Sequence, residues 1–135
     1  MVSSGFAAFG TGITFDGTEV KELTNIAWDI GTVDDVDVTN HDSPDTTEEF
    51  VAGIIRVGEI NLEGNFVPTD AGQVKLITNL QARTSKAVVI TCSDTGAATF
   101  TGTAYVKSVR PGAPVEGKTS FTATLKATGK IVFAA

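Results

Sequence analysis

The stretch at residues 57–83, VGEINLEGNFVPTDAGQVKLITNLQAR, decides the fold. In residues 59–66 polar and apolar positions alternate strictly, and a period of two predicts a strand with one face on a core. Pro68 ends this strand, because proline has no N–H to give to a neighbouring strand. The first half of the stretch therefore predicts one strand of a sheet that is buried on one side.

A helix is predicted directly after this strand. Asp70 is a suitable N-cap, and Gln73 follows three residues later, as in a capping box. An apolar stripe at helical spacing then follows, formed by Val74, Leu76, Ile77 and Leu80. Since a helix this short is marginal on its own, it needs a sheet to cover the stripe.

Most of the remaining chain predicts strands. Asp16-Gly17 is a strong turn signal for a hairpin at residues 13–20. Alternating or β-branched runs predict further strands at residues 22–30, 86–91, 97–109, 120–128 and 131–133, with a turn at Gly129 before the last. The sequence thus predicts a single mostly β domain, residues 1–135, with one helix.

The composition gives little support to an enzyme. Cys92 is the only cysteine and His41 the only histidine. One histidine weakens any Ser-His or Cys-His scheme, and one cysteine forms no intrachain disulfide or CxxC knuckle, so we expect no catalytic residue, no metal and no cofactor. Cys92 ends an apolar run and is predicted to be a small buried hydrophobe. The basic residues are scattered without interleaved aromatics, which argues against a nucleic-acid-binding patch.

The sequence also predicts no membrane anchor. No apolar run approaches the roughly 18 residues that span a bilayer. The first residues lack the basic and apolar segments of a signal peptide. We therefore expect synthesis in the cytoplasm without export.

The formal charge of −6 is unevenly distributed along the chain. Residues 1–74 hold 14 acids against two bases, which gives −12, whereas residues 75–135 hold two acids against eight bases, which gives +6. Two interpretations remain open. The halves pair inside one fold, or the acidic surface of one copy meets the basic surface of the next in head-to-tail self-association.

Two segments lack a regular pattern. Residues 1–12 predict a mobile N-terminal arm whose two phenylalanines, Phe6 and Phe9, dock on another surface. Residues 31–53 predict a long acidic loop, irregular apart from a brief strand at its valines. Apolar residues at its far end, among them Phe50 and Ile54, are expected to pin the loop to the fold.

The polar faces of the strands at residues 97–109 and 120–128 consist almost entirely of threonine and serine. Threonine favours strands, so β-propensity alone can account for this. However, an exposed sheet normally carries more lysine and glutamate, particularly at its edges. A neutral hydroxyl face therefore also suits the lining of a channel.

The middle of the chain, residues 34–84, carries DVTNHDSPD, then EFVAG, then GEINLEGNF and a short link into the helix. This pattern resembles the major tail tube proteins of long-tailed bacteriophages, including those of phage-like gene transfer agents. The resemblance implies a β-sandwich or half-open barrel flanked by one helix. It further implies a structural virion protein that forms hexameric rings, which stack into a tail tube and conduct DNA into the host cell.

The resemblance also implies partners. These are further copies of the chain, the tape measure, the tail terminator and baseplate or distal tail proteins, with double-stranded DNA passing through the lumen without sequence-specific binding. The implied location is the virion, after assembly in the host bacterial cytoplasm. The alternative is a monomeric β-sandwich module for binding or adhesion, which needs an exposed aromatic platform; one Trp and one Tyr supply little of it.

The sites implied for a tube are of two kinds. Subunit-interface residues are predicted in the arm and the acidic loop: Phe6, Phe9, Asp34, Asp35, Asp37, His41, Asp42, Asp45, Glu48, Glu49 and Phe50. Lumen-facing residues are predicted on the hydroxyl faces: Thr99, Thr101, Thr103, Thr122 and Thr124.

Overall fold

The computed structural model describes residues 10–93, 96–115 and 117–135. Within these ranges the chain forms nine strands and one α-helix: β1 (Gly12–Phe15), β2 (Thr18–Val20), β3 (Leu23–Trp28), β4 (Thr32–Asp37), β5 (Phe50–Arg56), β6 (Glu59–Asn65), α1 (Ala71–Ala82), β7 (Ser85–Thr91), β8 (Thr99–Gly112) and β9 (Ser120–Ala134). Of the predicted arm, residues 1–9 lie outside the described residues, and Gly12 already belongs to β1.

Seven strands form one antiparallel sheet in the order β2-β1-β7-β8-β9-β6-β3. Its two edge strands, β2 and β3, follow each other in sequence and are separated only by Lys21 and Glu22. Because two residues span only a short distance, the two edges lie close together at that end. The sheet is therefore curled into a half-open barrel, and the predicted fold class is confirmed.

One face of the curled sheet, together with the helix, encloses the hydrophobic core. The alternation predicted for the decisive strand is confirmed, since Ile60 and Leu62 of β6 are buried. The core is completed by residues from the helix and from every other strand of the sheet except β3: Ile13, Phe15, Val20, Leu76, Val88, Ile90, Ala104, Val106, Phe121, Ala123 and Leu125. Cys92 is also buried, as predicted.

The helix begins at the predicted N-cap. The Asp70 carboxylate accepts hydrogen bonds from the backbone N–H groups of Gln73, at 3.1 Å, and Lys21, at 3.2 Å. The fully buried Gln73 side chain does not complete the capping box. It accepts from Val67 N at 2.9 Å and donates to the carbonyls of Lys21 and Asn65, at 3.2 and 2.9 Å. Gln73 thus ties the helix to the β2–β3 link and to the end of β6.

The predicted apolar stripe describes the buried face of the helix only in part, since Leu76 is buried and Leu80 packs against the core. Val74 is 45% exposed, and the buried residues are Gly72, Gln73, Leu76 and Asn79. Polar residues are tolerated there because their side chains are hydrogen-bonded. The Asn79 amide donates to the Lys75 carbonyl at 2.8 Å and accepts from the Thr84 hydroxyl at 2.6 Å.

The last strand is longer than predicted. The turn expected at Gly129 is not a turn between two strands, because β9 runs continuously from Ser120 to Ala134. Gly129 has φ of +80° and lies where the register with β8 shifts, between Thr101 and Thr103. A glycine in the left-handed region accommodates a β-bulge, so the two strands remain paired on both sides of it.

Candidate functional site: a projecting hairpin and a polar sheet face

The acidic segment is a β-hairpin; the brief strand predicted at its valines is β4, but the rest of the segment is not the irregular loop that we predicted. β4 and β5 pair with each other as a separate two-stranded antiparallel sheet. Val33 lies opposite Ile55 and Val36 opposite Val51. β-branched residues on both strands favour this pairing, and the aspartates between them, which are disfavoured in strands, conceal it in the sequence.

Exposed apolar side chains cover this hairpin. Seven of its large apolar residues are between 39% and 70% exposed: Val33, Val36, Val38, Phe50, Val51, Ile54 and Ile55. The prediction that Phe50 and Ile54 pin the segment to the fold is therefore wrong. An isolated two-stranded hairpin is marginal in water, and contiguous exposed apolar surface marks an interaction site.

Local hydrogen bonds order the tip of the hairpin. The Asp37 carboxylate accepts from the Thr39 N–H at 2.9 Å, and hydrogen bonding from the Thr39 side chain and backbone lowers the pKa of Asp37. Asn40 N donates to Ser43 Oγ at 3.0 Å, and Asp42 N donates to Asn40 Oδ1 at 2.8 Å. Such side-chain-to-backbone bonds are typical of Asx and Ser/Thr turns, so the tip has a defined conformation.

The net negative charge of the chain comes from the hairpin segment. Residues 31–56 contain seven of the 16 acids and one of the ten bases, which gives −6, so the rest of the chain is formally neutral. Two salt bridges, Lys75–Asp16 at 3.4 Å and Lys107–Glu59 at 2.8 Å, join the basic half to the acidic half, as the first charge interpretation expects. In the hairpin, no salt bridge among the described residues uses Asp35, Asp37, Asp42 or Glu48.

The predicted interface residues fall into two groups. The hairpin brings together nine of them: Asp34, Asp35, Asp37, His41, Asp42, Asp45, Glu48, Glu49 and Phe50. The other two, Phe6 and Phe9, lie outside the described residues. The sequence interpretation predicted a brief strand at the valines of residues 33–38 but missed its partner strand β5 and the exposure of the aliphatic residues on both.

The predicted lumen residues share one face of the main sheet, opposite the core. Thr101, Thr103 and Thr122 are exposed, and Thr99 and Thr124 are half-buried. The face continues onto β6, where the amide oxygen of Asn61 accepts a hydrogen bond from the Thr124 hydroxyl at 3.2 Å. We call this surface the hydroxyl face.

The lysines of the hydroxyl face have partners. Lys107 Nζ lies 2.8 Å from Glu59 Oε1, and its hydrogen bond and charge lower the pKa of the Glu59 carboxyl and raise that of Lys107. Lys126 Nζ donates to the Val57 carbonyl at 3.0 Å and lies near enough to Glu59 to lower its pKa further. Arg110, near the end of β8, pairs in register with Thr122 on the same face.

Neither a metal centre nor a membrane span stands out. The described part of the chain holds no group of three or more His, Cys, Asp or Glu side chains placed to bind a metal ion. In the same part, no helix combines the length and apolar character needed to cross a membrane.

A comparison with protein families identifies the family of the chain that carries the hairpin and the hydroxyl face. A model of the family described as phage tail tube protein matches residues 14–133. The chain belongs to this family. The resemblance read from the central sequence is thereby confirmed, and the family of this chain is one of structural tail components. No curated protein matches the sequence.

Solved tail structures share the fold of this tail tube protein. A chain of the native gene transfer agent virion superimposes with a TM-score of 0.80 at 17% identity, covering 97% of this chain and 100% of that one. A chain of the empty gene transfer agent tail, with C6 symmetry, has a TM-score of 0.71 at 18% identity, covering 87% and 85%. A chain of the sheath–tube complex of an extracellular contractile injection system has a TM-score of 0.77 at 12% identity, covering 99% and 94%.

Proposed function

We propose that this tail tube protein polymerises as hexameric rings that stack into a tube and conduct DNA from a phage or phage-like particle into the host cell. The observation that carries the proposal is the β4–β5 hairpin, which exposes apolar side chains on a two-stranded sheet outside the core. Family membership and the six-fold symmetry of the similar gene transfer agent tail support a ring of six. They favour the tube over a monomeric binding module.

Further partners follow from the geometry of such a polymer. A head-to-tail stack exposes a different surface at each end, and each end needs a protein that stops growth or attaches the tube. We propose a tail terminator at one end, baseplate or distal tail proteins at the other, and a tape measure inside during assembly. Assembly then takes place in the host bacterial cytoplasm, where the chain is made.

The hydroxyl face is the proposed wall of the lumen. Duplex DNA is a dense line of phosphates, and unpaired lysines along a wall would bind it in a salt-dependent way. The threonines of β8 and β9 are neutral, and Lys107 is held by Glu59 at 2.8 Å. We expect a wall of this kind to contact the DNA without binding its phosphates tightly.

Removing the hairpin tests the assembly role. Asp29 N donates to the Glu59 carbonyl at 3.1 Å, and Trp28 pairs with Ile60, so residues 30–58 can be replaced by Asn-Gly to give a two-residue hairpin between β3 and β6. We expect a folded monomer that forms no tubes, because the main core receives no buried residue from the hairpin. Electron microscopy and light scattering measure assembly, and circular dichroism with thermal unfolding measures folding.

The control is the unaltered chain at the same concentration and salt. Tubes formed by the folded hairpin-less variant would show that the hairpin is dispensable and would refute the assembly role. Failure of the unaltered chain to form rings or tubes at any concentration would instead refute self-polymerisation.

A further inference from the structure

The hairpin has two chemically different faces, which follow from its register. Arg56 and Ile54 lie two residues apart on β5 and share a face, as do Asp34 and Val36 on β4. The two strands present these residues on the same side of the hairpin, because Arg56 is hydrogen-bonded to Asp34. Val51 joins them, because it pairs with Val36. We call it the aliphatic face.

The opposite face is more acidic. It carries Asp35 opposite Ala52 and Asp37 opposite Phe50, with Val33 opposite Ile55 at the base. The two faces keep this identity across a bulge, because β5 supplies one residue more than β4 between the pairs Val33–Ile55 and Asp35–Ala52. We call this side the acidic face.

On the aliphatic face, the charges near the base neutralise each other. Arg56 Nε donates to Asp34 Oδ2 at 2.8 Å, while the two side chains are 68% and 44% exposed. An exposed pair contributes little to the stability of the free chain. Under a covering surface, however, an unpaired carboxylate would be costly, whereas a paired and hydrogen-bonded one is tolerated. The pair thus makes the aliphatic face fit for burial.

Charge indicates what covers this face. The hairpin segment carries the whole −6 of the chain, so the hairpins of two copies repel each other. The formally neutral remainder, which we call the body, exposes apolar side chains of its own, including Val74 and Phe133 at 45% and 57%. Its basic residues Arg83, Lys86 and Lys130 form no salt bridge among the described residues. The body of a second copy therefore offers the hairpin exposed apolar side chains and basic side chains that form no salt bridge among the described residues.

We propose that the aliphatic face of the hairpin docks on the body of a second copy, and that the Asp34–Arg56 pair becomes a buried ion pair of that interface. The inference rests on the proposed self-polymerisation and deepens it. It names the face of the hairpin that is covered and the pair of charges that is buried there.

A double-mutant cycle tests the proposal. Arg56→Gln leaves Asp34 unpaired in the interface and should raise the critical concentration for tube formation at least tenfold; Asp34→Asn leaves the arginine unpaired and should act in the same direction. The double variant leaves no unpaired charge and should assemble better than either single variant. Sedimentation of tubes over a concentration series gives the critical concentration, and thermal unfolding of the monomers should be nearly unchanged because the pair is exposed in the free chain.

The matched control lies on the acidic face, where Asp35→Asn removes one carboxylate from the same strand and should change the critical concentration less than about threefold. If the single and double variants of the pair assemble like the unaltered chain, or if their effects simply add, the buried ion pair is refuted while self-polymerisation stands.

Ile54→Asn gives an independent readout of the aliphatic face. It should also raise the critical concentration, and assembly equal to that of the unaltered chain would overturn the docking of the aliphatic face.

Discussion

At the scale of single residues, Gly72 and Gln73 decide how the helix meets the sheet. Gln73 is fully buried and its side chain bonds three backbone groups outside the helix. Beside it, a Cβ on Gly72 would run into the backbone of Glu19 and Val20 in β2. The contact of the helix with β2 at this position therefore requires a residue without a side chain.

Replacing Gly72 by alanine distinguishes packing from helix propensity. Propensity alone predicts stabilisation by about 1 kcal/mol, since alanine favours a helix interior over glycine. The contact with β2 predicts the opposite sign, a loss of roughly 1–3 kcal/mol, because the helix must move away from the strand. Urea unfolding measures the difference, with Thr78→Ala on the exposed side of the same helix as control. A Gly72→Ala variant more stable than the unaltered chain would disprove the tight contact.

At the scale of elements, the β1–β2 and β4–β5 hairpins show when the local sequence is sufficient to predict a hairpin. The β1–β2 turn was predicted from the pair Asp16-Gly17, because few residue pairs tolerate positive φ at both positions, and the two residues adopt φ of +54° and +76°. The pairing of β4 with β5 was missed because the connection between them is long and because β4 combines valine with aspartate, which has low strand propensity. The charge of this segment was nevertheless evident from the sequence.

The charge of the hairpin should make assembly depend on salt. Screening shortens the reach of exposed charges from about 10 Å at 0.1 M to about 3 Å at 1 M. We therefore expect the critical concentration for tubes to rise with salt, and to rise less steeply in the double variant Asp35→Asn/Asp37→Asn, which removes two carboxylates of the acidic face. Turbidity and sedimentation over this salt range give both slopes. Assembly indifferent to salt would contradict the charge complementarity.

At the scale of the whole molecule, the curled sheet separates two surfaces. The core side buries the apolar residues of alternate positions, and the other side collects the hydroxyl face from β8 and β9. Residues distant in sequence meet there, as in the Lys107–Glu59 pair, which is 48 residues apart. The pairing of Lys107 on this face is thus a property of the assembled sheet.

Lysines added to the hydroxyl face should make tubes retain DNA. In the variant Thr101→Lys/Thr122→Lys both new charges lie at exposed positions: Thr101 pairs in register with Val132 and Val89, and Thr122 pairs with Arg110 and Glu63. Only the Thr122 position has an acidic neighbour, so net positive charge is gained. We expect short duplex DNA to co-sediment with these tubes and to be released by salt. Thr78→Lys on the exposed side of the helix is the control, and equal DNA retention by both variants would contradict a lumen at this face.

By itself, the sequence determined the elements whose signals are local. These are the alternating strand β6, the Asp70 cap of the helix and the Asp16-Gly17 turn, together with the charge imbalance and the family resemblance of the central segment. Only the tertiary structure decided that Gln73 and Asn79 are buried while Val74 is exposed, that β9 continues through Gly129, and that the acidic segment is a hairpin with an aliphatic and an acidic face. The physical reason is that these features depend on partners far away in the chain. They arise from hydrogen bonds to distant backbone groups and from strand pairing across long connections, and the local periodicity of the sequence contains no information about either.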